Sequence, residues 1–289
     1  MRKYLVSLLI LGLGPGLLYG SGLNVLILRR APEVHFSFWQ PYTVFSEGKA
    51  RASLTVQDRL TAKTVAGGVA LFVSKSANEH PQKLGVFSAA VEIKPAAAQP
   101  ATAENRPLPQ FVTFHQPTYG GDITYSGPLT LFAKNGVNVV ESVALEEYVT
   151  QVVNCELGGE KTLAALKAQS VLVRTFALYI TQLRLLALEK GNQNWAYFQL
   201  FATPVDQAYN CRKRANDREP PNALVRQAVK ETADEVLLKN NKLARVQYNT
   251  CAAQPLPKGV ICQETMMEMA RQGKSYQEIL SFFRPESCF

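Results

Sequence analysis

The polar and apolar positions of this chain change rhythm once, near residue 140. Before it they alternate in short runs punctuated by turn pairs, as in "LTAKTVAGGVALFV" around Gly67-Gly68 and "PLTLFAKNGVNVVESV" around Asn135-Gly136. Apolar alternation on both sides of Asn-Gly is the pattern of a two-residue hairpin, so this half reads as β. "HFSFWQPYTVF" is also strand-like, and its aromatics belong to a core or a sheet face. After residue 140 the spacing turns helical. Leu145, Tyr148, Val149 and Val152 fall at i, i+3, i+4 and i+7 behind Ser142 as N-cap, which predicts a short helix ending near Asn154. Glu156 and Gly158-Gly159 are then left in a loop. A long helix follows from about Glu160 to Lys190, closed by Gly191. Its apolar residues Leu163, Leu166, Val173, Phe176, Ala177, Ile180 and Leu183 spread round most of the circumference, which predicts a central helix. "VLLKNNKLARVQYN" predicts a hairpin across Asn240-Asn241. Two helices finish the chain. The last opens on a capping box, Ser275 to Glu278, sets Tyr276, Ile279, Leu280 and Phe283 on one face, and stops at Pro285. The fold class is α+β: a β-rich N-terminal part built of hairpins, then a helical core with a long central helix.

The opening "MRKYLVSLLILGLGPGLLYGSG", residues 1–22, has two cations before an apolar run from Leu5 to Leu18 and small residues after it. It reads as an export signal or, since a spanning helix needs about 17 residues or more, as a membrane anchor. Either assigns the folded part to the outside of the cytoplasm, in a periplasm or on the wall side of a membrane. Residues 23–94 are the β-rich region, "PAAAQPATAENRPLP" at 95–109 is a linker or surface excursion, and 110–289 form the remaining region. A hydrophobic content of 47% excludes disorder of the whole. The net charge of +8 suits anionic material such as lipid headgroups or wall polymers, and export sets nucleic acid aside as a partner. The five cysteines lie in the second half, and their odd number leaves at least one unpaired within a monomer. No C-x-x-C spacing occurs and His35, His80 and His115 are remote from the cysteines, so neither a metal nor another cofactor is expected.

One stretch is chemically odd. "VVNCELGGEKTLAALKAQSVLVRTFALYI" is apolar enough to be buried, yet it carries Glu156, Lys167 and Arg174. Buried charge is costly unless it is paired or used. Lys167 and Arg174 are two turns apart and share a face, and the loop before the helix brings Glu156 toward them, so the three are expected to converge. They form either a salt-bridge set that ties loop to helix, or a site. In a site, Glu156 among Val152, Val153 and Leu157 tends to keep its proton and acts as a general acid, while the cations orient an anionic or carbonyl-rich substrate.

"VALEEYVTQVVNCELGGEKTLAALKAQSVLVRTFAL" resembles the signature of the stage II sporulation protein D family (SpoIID/LytB). "MARQGKSYQEILSFF", "DQAYN" and "VQYNTCAA" are similar to further segments of that family, and the resemblance runs from about Tyr119 to Phe283. It implies a peptidoglycan lytic transglycosylase in cell-wall remodelling, cleaving the MurNAc-GlcNAc bond of denuded glycan strands. Carried over residue by residue, the catalytic glutamate falls on Glu156, and substrate-binding positions fall on Lys167, Arg174, Gln207 and Tyr248. Hydrolysis of a glycoside ordinarily uses two carboxylates. One suffices when the muramic acid's own 6-hydroxyl attacks C1 and leaves a 1,6-anhydro end. The implied partners are glycan strands, an N-acetylmuramoyl-L-alanine amidase acting upstream, and a membrane through the N-terminal segment. The alternative is a glycan-binding protein or amidase enhancer of the same family. It is favoured by departures in "PLPKGVICQ", which lacks the family's histidine, and by Ala252-Ala253 in place of paired glycines. Cys251 and Cys262 lie in these altered segments, as a bridge or as two buried thiols. Cys155, beside Glu156, reads as a small buried hydrophobe.

Overall fold

The computed structural model describes residues 22–76, 79–96, 112–116, 121–125, 127–209, 222–251 and 260–283. The apolar N-terminal run, the Pro/Ala-rich stretch beyond residue 96, Cys211, Ala252-Ala253, Pro285 and Cys288 lie outside them. The chain divides into two compact units, one drawn from Asn24–Val143 with Asn192–Pro220, the other from Ala144–Gly191 with Pro221–Phe289.

The first unit is β. Its strands are β1 Leu23–Ala31, β2 Glu33–Phe38, β3 Tyr42–Ser46, β4 Lys49–Leu54, β5 Arg59–Val65, β6 Gly68–Ser74, β7 Gln82–Phe87, β8 Val91–Pro95, β9 Val112–Gln116, β10 Gly121–Tyr125, β11 Leu129–Ala133, β12 Val137–Val143 and β13 Leu200–Phe201. They form two sheets, in the orders β13-β1-β12-β11-β8-β3-β4 and β10-β9-β2-β5-β6-β7. The period-2 pattern decides which side chains point inward. Val34, Phe36 and Phe38 of β2 and Leu60 and Ala62 of β5 are buried on the second sheet, as are Leu129 and Leu131 of β11 and Val91 and Ile93 of β8 on the first. β12 is buried along almost its whole length, Glu141 included, as befits a strand lying between β1 and β11. Glu141 is satisfied there by the N–H of Gly127 at 3.0 Å and the hydroxyl of Tyr209 at 2.9 Å. Of the aromatics in "HFSFWQPYTVF", Phe36, Phe38 and Tyr42 are core, and Trp39 is exposed.

The hairpins sit where the turn residues set them, with one change of length. Ala133 pairs with Val137, so the β11–β12 link has three residues, Lys134 to Gly136, rather than the expected two. Asn135 and Gly136 both take positive φ, 54° and 124°.

The second unit is helical: α1 Leu145–Leu157, α2 Leu163–Glu189, α3 Ala223–Glu231, α4 Gln263–Arg271 and α5 Tyr276–Phe283. Two short ladders accompany them, the antiparallel pair Leu238–Lys239 with Lys242–Leu243 and the parallel pair Tyr248–Asn249 with Ile261–Cys262. Asn240 and Asn241, at φ 53° and 57°, make the predicted turn. Two helix boundaries differ from expectation. Ser142 belongs to β12 and Ala144 is the N-cap of α1, while the far end of α1 runs on to Leu157. Nothing in Cys155-Glu156-Leu157 breaks a helix, and Leu157 continues the apolar face four residues after Val153; the break comes only at Gly158-Gly159. α2 starts three residues later than expected: Thr162 is its N-cap, in extended backbone, and the Glu160 carboxylate turns back on the N–H groups of Lys161 and Thr162. By length and composition α2 is apolar enough to cross a membrane, but its first half is buried all round as the core of this unit, from Ala165 through Ala168 to Val173.

The capping box is reciprocal. The hydroxyl and N–H of Ser275 donate to the Glu278 carboxylate at 2.9 and 2.8 Å, and the Glu278 N–H returns a 3.2 Å bond to the Ser275 hydroxyl.

Candidate active site

Glu156 lies in the last turn of α1, not in a loop. Its register explains its surroundings: Tyr148, Val149, Val152 and Val153 are all buried, and Glu156 follows Val152 by four and Val153 by three, on the same inward face. The side chain is half-buried. Two amides converge on one of its oxygens: Oε2 accepts from Gln169 Nε2 at 2.7 Å and from Gln263 Nε2 at 3.5 Å. Both glutamines are themselves buried. The amide oxygen of Gln169 is buried without a hydrogen-bond partner, so the Glu156 carboxyl group is what orients that amide.

The end of α1 is braced from two directions. Asn222 caps α3 through Leu224 N–H at 3.0 Å, and the same side chain donates to the carbonyl of Gly158 at 3.2 Å. Its N–H donates to Asn154 Oδ1 at 3.3 Å. After the turn, the Glu160 carboxylate takes the N–H groups of Lys161 and Thr162 and the Thr162 hydroxyl at 2.7–2.8 Å, and Arg271 at 3.0 Å. Burial by itself pushes Glu160 up. The Thr162 and Lys161 bonds, with Arg271, outweigh it and leave the group below its ordinary 4.5.

Lys167 and Arg174 do share a face of α2, but the structure does not bring them to Glu156. Glu156 meets α2 at Gln169, and two residues of helix turn Lys167 about 200° away from that line. Lys167 instead pairs with Glu231 at 2.5 Å and lies 5.6 Å over the ring of Tyr276. Arg174 is 0% exposed. Its Nε and Nη2 form a fork on the Glu146 carboxylate at 2.8 and 2.6 Å, and its Nη1 donates to the Glu235 carbonyl at 3.0 Å. The Glu235 carboxylate in turn accepts from the Tyr276 hydroxyl, which burial, with this bond, pushes up to about 12. The two cations thus knit α1, α2, α3 and α5 together. A guanidinium with no exposed surface has no face to offer a substrate.

Tyr248 sits on the parallel ladder opposite Ile261, two residues before Gln263. Its ring meets Phe176 edge-on at 6.4 Å, and Phe176 follows Gln169 by two turns of α2. Tyr248, Phe176, Gln169, Gln263 and Glu156 therefore belong to one side of the helical unit. A disulfide joins Cys251 to Cys262, with Cα atoms 5.6 Å apart, and pins the end of that ladder to the start of α4. Cys155 is disulfide-bonded as well, so it is not the inert small hydrophobe expected. Gln207 is buried in the β unit, two residues before the Tyr209 that anchors to Glu141. Among the described residues no three His, Cys, Asp or Glu side chains gather as metal ligands.

Gln169, Gln263, Glu146 and Glu235 are the contributors that sequence reasoning passed over. Gln169 carried a signal: a polar side chain on the one helix whose surroundings are apolar on all sides. Glu146 carried a weaker one, an acidic first turn.

A search of the curated proteins found no match to the chain. Residues 133–238 match the family model described as Stage II sporulation protein, SpoIID. The matched range holds Glu156, Lys167, Gln169, Arg174 and Gln207, and ends before Tyr248 and Gln263. The part of this chain that carries Glu156 is thus similar to the SpoIID family.

Proposed function

We propose that this protein is a peptidoglycan lytic transglycosylase in which Glu156 is the sole acid and base. The observation that carries the reading is one half-buried carboxyl group with two amide donors on a single oxygen. With Oε2 occupied by two donors, the proton that a neutral Glu156 transfers is carried on Oε1. In the first half of the reaction Oε1 gives its proton to the leaving glycosidic oxygen. As the carboxylate forms, the Gln169 and Gln263 donors are already in place to stabilise it. The carboxylate then takes the proton of the muramic acid 6-hydroxyl as that oxygen closes on C1, which returns Glu156 to its neutral form and leaves a 1,6-anhydro end.

Tyr248 and Phe176 flank the Gln169–Gln263 pair and suit the C–H faces of sugar rings. We assign Lys167 and Arg174 to positioning: they hold the α1–α2 pair that sets Glu156 against Gln169. The substrate is glycan stripped of stem peptides, which makes an N-acetylmuramoyl-L-alanine amidase the upstream partner. The Cys251–Cys262 disulfide supports an oxidising compartment outside the cytoplasm.

The test is mass spectrometry of amidase-treated peptidoglycan after incubation with the protein or with Glu156→Gln. New 1,6-anhydromuramic ends from the unsubstituted protein alone are expected. Glycan bound by both proteins with no product from either would overturn catalysis and leave the non-catalytic glycan-binding reading.

A further inference from the structure

The β unit has a cavity of its own, about 320 Å³, whose lining combines cations with aromatic rings. The cations come from an irregularity in β1. Side chains of a regular strand alternate between faces, yet Arg29 and Arg30 are both exposed and both line the cavity. The cause is Arg30, which has φ +56°, a conformation that is costly for any residue with a Cβ.

That conformation is held from below. The Arg30 N–H donates to Oδ1 of the buried Asn138 at 3.2 Å, and the Asn138 amide is itself fastened to the carbonyls of Lys134 and Gly136 at 3.1 Å each. Gly136 is needed there for space as well as for its φ, since a Cβ would stand 2.7 Å from Arg30 Cα. A third cation, Lys134, lines the same cavity and donates to Asn194 Oδ1 at 2.8 Å, which ties the β11–β12 hairpin to the turn carrying Trp195.

The aromatic rings are ordered too. Tyr197 stacks on Phe132 with centroids 4.3 Å apart and planes 17° from parallel, and Tyr197 is 41% exposed. Trp195 stands edge-on to Phe198 and Phe201, at 71° and 80°. A partly exposed aromatic ring with two arginines, one of them strained, in the same cavity suits a ring with an apolar C–H face and a carboxylate.

We propose that this cavity is a binding subsite for an acidic saccharide. The sugar's C–H face lies on Tyr197, its carboxylate meets Arg29 and Arg30, and its hydroxyls meet the side-chain amides of Gln193 and Asn194, which both donate and accept as hydroxyls do. A neutral sugar leaves the arginines unused, and a phosphate polymer leaves the aromatic face unused. The volume holds about one ring, near the small end of ligand sites. Taking N-acetylmuramic acid as the sugar rests on the function proposed above; the chemistry of the cavity does not.

The chain has two tryptophans, Trp39 and Trp195. In the full-length Trp39→Phe protein, fluorescence therefore reports the cavity alone. GlcNAc-MurNAc disaccharide, the neutral GlcNAc disaccharide and inorganic phosphate are titrated separately. The expected result is a preference of about tenfold or more for the carboxylated sugar, the scale of a charge-assisted hydrogen bond. Arg30→Gly is expected to abolish that preference with an unchanged or higher melting temperature, because glycine takes φ +56° without strain. Equal binding of the neutral disaccharide, competition by phosphate alone, or a preference that survives Arg30→Gly overturns the proposal. Anhydro products without any Trp195 response would sink the subsite and spare the catalytic reading. A selective Trp195 response without anhydro products would do the reverse.

Discussion

Arg174→Ala is the perturbation that separates a structural cation from a substrate ligand. The wild-type guanidinium is wholly buried and gives two bonds to Glu146, one to the Glu235 carbonyl and a longer one to the Ser170 carbonyl. Removing one partner of a buried ion pair costs about 3–5 kcal/mol, mostly from the charge left behind. Here the Glu146 side chain is 39% exposed and water can reclaim it, which argues for the lower end, about 3 kcal/mol. The lost Glu235 bond and the void work the other way. For a unit of this size such a loss lowers the melting temperature by on the order of 10 °C. Arg174→Lys keeps the charge but not the fork and should lose about half as much. The assay is thermal melting by circular dichroism with urea unfolding beside it, and glycan pull-down well below the midpoint. If Arg174→Ala melts within about 2 °C of the parent while glycan binding collapses, the residue touches substrate and its assignment as a brace is wrong.

Three further outcomes are expected. Cys251→Ser should destabilise the helical unit by about 3 kcal/mol, the chain-entropy value for a bridge spanning a sequence separation of 11, and should lower activity by loosening Gln263; urea midpoints of variant and parent, both without reductant, check it. Glu160 sits below its ordinary 4.5 in the folded state, so it contributes stability that is complete above that value and is lost as pH falls through its folded value. Melting curves from pH 7 down to about pH 3 should therefore fall less steeply for Glu160→Gln than for the parent. Gly136→Ala must either move the Arg30 backbone or strain its own φ of 124°, and should cost about 1–3 kcal/mol in the β unit, read from its urea midpoint.

How much of this was legible in the sequence depends on the range of the interaction. Local signals were read well: the paired asparagines at 240 and 241, the Ser275–Glu278 box and the alternation in β2 each depend on residues a few positions apart. The end of α1 differs from the expected stop near Asn154 because the apolar face runs on through Leu157 and the chain breaks only at Gly158-Gly159. The family signature pointed to Glu156, but its neighbours could not be read from spacing. Lys167 and Arg174 lie on one line of the helix, and which line faces Glu156 depends on how α1 docks, a matter of packing among Tyr148, Val152 and the buried face of α2. Gln263 was out of reach for a different cause: it is carried to Glu156 by a ladder more than a hundred residues away. The strained Arg30 was equally silent, since positive φ at an arginine has no sequence signature and its supports, Asn138 and Gly136, are remote from it.

β1 is flanked on one side by β12 and on the other by β13, and the whole of α2 is threaded between those two strands in the chain. During synthesis or export the residues up to Val143 emerge first and can lay down both sheets, except for one edge. That edge, with Val25 and Leu26 awaiting Leu200 and Phe201, stays open until the long apolar helix has emerged as well. An unpaired apolar strand and an unpacked apolar helix therefore coexist for a time, and each is a template for the wrong neighbour. Fragments cut between β12 and β13 should therefore precipitate where the intact protein stays in solution.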